Sequence, residues 1–163
     1  MSKRNRTEEA ELKALQAALG AEHAAVYGYG VVGGRIGEAR QTDARSAYDA
    51  HRARRDELAR AVKDMGGSPE AASAAYMLPF PVTNTATAIR FAAELEERVA
   101  DVYSDLVRAA TGDRRRMAAG ALREAAVRAV RWSGESVAFP GLAERAGNPS
   151  TTPTPSATAP SPT

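Results

Sequence analysis

Three side chains stand where helical periodicity asks for leucine. Glu22, His51 and Glu96 each fall on the apolar stripe of a predicted helix. A carboxylate alone in an apolar core is costly, and it persists there when paired with a cation, hydrogen-bonded or bound to a metal. Bundle interiors that hold two iron or manganese ions use this placement. They take a Glu from each of two helices and a Glu-x-x-His from each of the other two, the i,i+3 spacing putting both ligands on one face. Here His51 takes the histidine place on the second helix, but the residue three before it is Tyr48. On the fourth helix the nearest candidate is Glu124, and Val127 stands three residues later. The metal reading therefore has a reduced ligand set of Glu22, His51, Glu96 and Glu124, for iron or manganese.

The same stripes support a structural reading. Arg55 lies one turn after His51, Arg128 one turn after Glu124, and Arg98 close to Glu96. Their guanidinium groups can neutralise the two carboxylates as bidentate partners, with the Tyr29 and Tyr103 hydroxyls completing the hydrogen bonds. Such a cluster specifies the register of a bundle and binds nothing. His23 follows Glu22 and points about 100 degrees away around the helix, which assigns it to the boundary of the core. A third reading is a small-ligand pocket between the helices lined by Tyr27, Tyr48 and Phe80. The glycines from Gly28 to Gly34 make no phosphate-binding fingerprint, because no strand precedes them and the register differs.

Composition limits the chemistry further. The 163 residues contain no Cys and two His, which excludes disulfides, zinc ribbons, iron-sulfur clusters and thiol nucleophiles. Lys+Arg exceed Asp+Glu by 22 to 20, and the pI is about 9.1. The basic residues alternate with acids and form no concentrated stripe, so no nucleic-acid partner is expected. Residues 1–13 are charged and lack the apolar stretch of a signal peptide, and the longest apolar run, 14–34, is interrupted by Gln16, Glu22 and His23. A cytoplasmic protein without a membrane span is expected. A homodimer through an Ala-rich helix face is the one partner the composition suggests.

Four helical segments must position these residues. The first is expected from an N-cap at Thr7 to Gly33-Gly34, and the second from between Thr42 and Ser46 to Gly66-Gly67. The third starts at Thr83 or Asn84, and the fourth runs from Asp113 to about Trp132 after the short turn Thr111-Gly112-Asp113. Between the second and third lies a long connection whose Pro79-Phe80-Pro81 forbids a continuous helix. Glu22 and Tyr29 are seven residues apart on the first stripe, as are Glu96 and Tyr103 on the third, so the halves echo each other. Phe139-Pro140 repeats the Phe80-Pro81 pair. Residues 1–6 read as a flexible start, 7–147 as the bundle, and 148–163, made only of Asn, Pro, Ser, Thr and Ala, as a disordered tail. The fold class is all-α, two helical hairpins joined by a long crossover.

The strings from Ala21 to Gly30, from His51 to Asp56, Leu78-Pro79-Phe80-Pro81, from Glu94 to Arg98, and Arg131-Trp132 with Phe139-Pro140-Gly141-Leu142 together resemble a ferritin-like domain-of-unknown-function family of high-GC Gram-positive bacteria. The resemblance covers residues 11–143. It implies a ferritin-like four-helix bundle and no established activity. Ferritin-like relatives elsewhere carry iron or manganese carboxylate sites, and this sequence departs from their ligand pattern at Tyr48 and across the fourth helix. The leading expectation is a non-catalytic bundle with a structural polar core.

Overall fold

A computed structural model describes residues 3–135. They form helices α1 (Lys3–Gly33), α2 (Gln41–Asp64), α3 (Thr85–Ala109) and α4 (Gly112–Ser133), with a 3-10 turn at Glu38–Arg40 before α2. Helix α1 begins four residues ahead of the expected Thr7 cap, because nothing in the charged segment before it breaks a helix. The Phe139-Pro140 segment and the tail from 148 lie outside the described residues.

The ends of the helices follow from local chemistry. Asn84 caps α3: its side chain accepts from the Thr87 amide, and the Thr87 hydroxyl accepts from the Asn84 amide. Helix α2 stops at Gly66, whose φ of 78° lets the Gly66 and Gly67 amides fold back onto the Lys63 and Val62 carbonyls. No regular element follows between Asp64 and Thr85.

Two apolar clusters fix how the helices run. One joins Leu15 and Leu19 of α1 to Leu58 and Val62 of α2, Val99 to Leu106 of α3, and Ala118 to Ala125 of α4. The other joins Tyr29 and Val32 to Ala44 and Ala47, Phe91 to Leu95, and Trp132. The start of α1 thus packs with the end of α2, the end of α3 and the start of α4. Helices α1 and α4 run one way, α2 and α3 the other. The 65–84 connection must therefore travel the length of the molecule to begin α3 at the far end. Close backbone packing links α1 to α2, α1 to α3 and α3 to α4, whereas α2 and α4 meet only through long side chains. Gly28 permits the α1–α3 approach, since a Cβ there would lie 2.5 Å from Leu95 Cδ1. No described helix is long and apolar enough to cross a membrane.

Candidate functional site: a buried Glu-His-Glu layer

Between the two apolar clusters lies one polar layer. Glu22 of α1, His51 of α2 and Glu96 of α3 are all at most 1% exposed. The imidazole sits between the carboxylates, with Nδ1 2.6 Å from Glu22 Oε2 and Nε2 3.0 Å from Glu96 Oε1. Each tyrosine crosses to the other helix of the α1–α3 pair. Tyr29 of α1 donates to Glu96 Oε1 and Tyr103 of α3 donates to Glu22 Oε1, both at 2.6 Å. Arg128 Nε of α4 donates to Glu96 Oε1 at 2.8 Å, and the Trp132 indole donates to the Tyr29 hydroxyl at 2.8 Å. The Tyr29 ring stacks on His51 with centroids 5.2 Å apart.

Charge in this layer is balanced. Burial works against an imidazolium, but hydrogen bonds to Glu22 and Glu96 and the charges of both carboxylates outweigh it and push His51 up to about 9. Burial would raise the Glu96 carboxyl, yet the hydrogen bond and charge of His51 and the charge of Arg128 hold it below its ordinary value. Burial and the facing carboxylates push both tyrosine hydroxyls above their ordinary range, so they remain donors. Two basic side chains, His51 and Arg128, thus face two acidic ones, Glu22 and Glu96.

The donors are unevenly shared. Glu96 Oε1 receives three, from Tyr29, His51 and Arg128, while Glu96 Oε2 is the one buried side-chain polar atom without a partner among the described residues. Both ring nitrogens of His51 face carboxylate oxygens, so a protonated ring presents no lone pair to a cation. Among the described residues no group of three or more His, Asp or Glu side chains is arranged to hold a metal ion. Metal ligation by His51 would require the ring to give up a proton that it shares with Glu22 or Glu96.

Residues 14–144 match a family described as a domain of unknown function (DUF4439). The chain belongs to this family. It is similar to the crystal structure of a conserved hypothetical protein from Mycobacterium tuberculosis, with 36% identity and a TM-score of 0.75, over 77% of this chain and 96% of that one. No curated protein matches the chain.

In this DUF4439 chain the structure brings Glu22, His51, Glu96, Tyr29, Tyr103 and Arg128 together and separates the other candidates from them. Glu124 is not in the layer; it pairs with Arg54 at 2.9 Å near the surface. Arg55 is turned to Asp56 at the solvent edge, where its guanidinium keeps its hydration. Arg98 cannot reach inward, because two residues beyond Glu96 is about 200 degrees around the helix, and it lies exposed beside Glu94. Tyr48 is half-buried beside Arg52 and makes no hydrogen bond to Glu22, His51 or Glu96. Of the three aromatic residues expected to line a ligand pocket, Tyr27 packs on Tyr76, Phe80 packs on Phe91, and Tyr48 lines a cleft between α1 and α2.

Trp132 belongs to the layer without having been a candidate site residue: a buried indole N–H needs an acceptor, and Trp132 follows Arg128 by one turn. Arg54, three residues after His51, bridges α2 to Glu124 of α4. His23 is half-buried and hydrogen-bonds the Glu70 carbonyl, holding the crossover.

Proposed function

We propose that this DUF4439 protein is a non-catalytic bundle of ferritin-like architecture in which His51 and Arg128 supply the positive charge that metal ions supply in metal-bearing relatives. The layer then sets helix register and axial offset, and the molecule acts as a binding or assembly module. The observation that carries this reading is the imidazole lodged between Glu22 and Glu96 with both nitrogens engaged. One atom favours the alternative, an iron or manganese carboxylate protein with Glu22, His51 and Glu96 as ligands: the unpartnered Glu96 Oε2.

Anaerobic loading of untagged protein with Fe(II) or Mn(II), followed by dialysis and elemental analysis, separates the two. The structural reading expects metal at background. Stoichiometric metal that disappears in Glu22→Ala and Glu96→Ala would overturn it. Stability measurements give a second arm. His51→Ala leaves Arg128 on Glu96 as the one cation of the layer and Glu22 with the Tyr103 hydroxyl, and it is expected to cost about 3–5 kcal/mol in urea denaturation. Joint replacement of Glu22, His51 and Glu96 by leucine or methionine is expected to be neutral or to stabilise by about 1–4 kcal/mol.

A further inference from the structure

A surface cleft of about 510 Å³ opens between α1 and α2 near their hairpin. Small-molecule sites occupy roughly 300–1,000 Å³, so the volume suits a compact ligand. Tyr29 and Ala44, both buried, form its floor, and the half-buried Tyr48 ring lines the α2 side. The α1 side carries Gly30 and Gly33, which bring no side chain.

Internal packing accounts for Gly28 but not for these two. A Cβ at Gly28 would collide with Leu95, whereas a Cβ at Gly30 or Gly33 would meet nothing within 4 Å. Glycine weakens a helix interior, so the exposed Gly30, which no neighbouring side chain requires, leaves room for something else to approach, and Gly33 at the end of α1 extends that open track. The charges say what. Arg45 and Arg52 stand two turns apart on α2, both line the cleft, and neither has an ion pair among the described residues, in contrast to Arg40, Arg54 and Arg128. Arg52 lies 5.6 Å from the Tyr48 ring centroid, holding its guanidinium beside an aromatic face. Asp49 shares the cleft and is ion-paired with neither arginine. Two guanidinium groups attract an acid group, and the Asp49 carboxylate repels a second.

We propose that this cleft binds a small aromatic molecule bearing a single acid group, the acid held by Arg45 and Arg52 and the flat part laid over Tyr48 and the glycine track. The site is independent of what the polar layer does, although Tyr29 belongs to both; the metal and stability measurements above do not read the cleft.

The test uses the full chain and 8-anilinonaphthalene-1-sulfonate, an aromatic monoacid whose fluorescence reports burial. Its uncharged analogue N-phenyl-1-naphthylamine is the control. Saturable one-to-one binding of the sulfonate is expected, with the neutral dye at least about tenfold weaker. Arg45→Gln with Arg52→Gln should weaken the sulfonate by about tenfold or more, since charge-assisted hydrogen bonds are lost from exposed side chains. Gly30→Leu should block binding while the melting temperature stays level or rises; if that variant fails to fold, the arginine pair decides. No saturable binding up to about 1 mM overturns the proposal. So does equal binding of the neutral dye, or an affinity that the arginine substitutions leave unchanged.

Discussion

His51 is the residue on which the layer turns, and its charge makes stability depend on pH with a definite sign. Its folded value of about 9 lies above the ordinary 6.5. The stabilisation it supplies is therefore fully present below about 6.5 and is lost as pH rises through 9, an effect on the order of 3 kcal/mol. Glu96 acts in the opposite direction. Its carboxyl is held below 4.5, so its contribution is present above that value and is lost as pH falls further. Urea midpoints measured from pH 4 to 10 should accordingly peak between about 5 and 6.5 and decline toward 9. The imidazole carbon-bound proton in an NMR titration should report the His51 transition directly. Titration of His51 at or below 6.5 would show that the carboxylates do not hold the proton, and the charge-balanced layer would fall with it.

Helix α1 carries glycines of opposite meaning within one turn. Gly28 is buried against Leu95 of α3, and Gly30 faces the cleft with nothing within 4 Å. Gly28→Val should force α1 and α3 apart and cost about 1–3 kcal/mol by thermal or urea unfolding. Gly30→Ala should instead stabilise by about 0.5–1 kcal/mol, because it relieves the backbone-entropy cost of glycine in a helix and displaces nothing. Equal effects at the two positions would mean that α1 does not approach α3 as closely as the Leu95 contact requires.

Across the whole molecule, the crossover is held to α1 by polar contacts. Gln16 donates to the Ser68 carbonyl at 2.6 Å and accepts from the Glu70 amide at 3.0 Å, and His23 bonds the Glu70 carbonyl. The opposite side is held by long side chains across the α2–α4 gap, Arg54 to Glu124 and Arg40 to the Arg131 carbonyl. These contacts are partly solvated, so the crossover is expected to open locally without global unfolding. Gln16→Ala should speed hydrogen exchange at the Glu70 amide about tenfold or more while changing global stability by no more than about 1 kcal/mol. A loss of global stability well beyond that would make the crossover part of the cooperative core.

Helix number, the stop of α2 at Gly66-Gly67, the cap at Asn84, the long connection and the burial of Glu22, His51 and Glu96 were legible along the chain. Each rests on periodicity or on side-chain-to-backbone chemistry within a few residues. The partners of those buried groups were not legible. Arg55, Arg98 and Arg128 all stood within a turn or so of a candidate, and Arg128 alone reaches the layer. That choice depends on the rotation and offset of one helix against another, which no single helix encodes. The crossed tyrosines, the bond from Trp132 to Tyr29, the cleft beside Tyr48 and the width of the α2–α4 gap share this origin. They follow from how four faces meet, because packing between helices, and not the pattern along any one of them, sets which polar atoms come within reach.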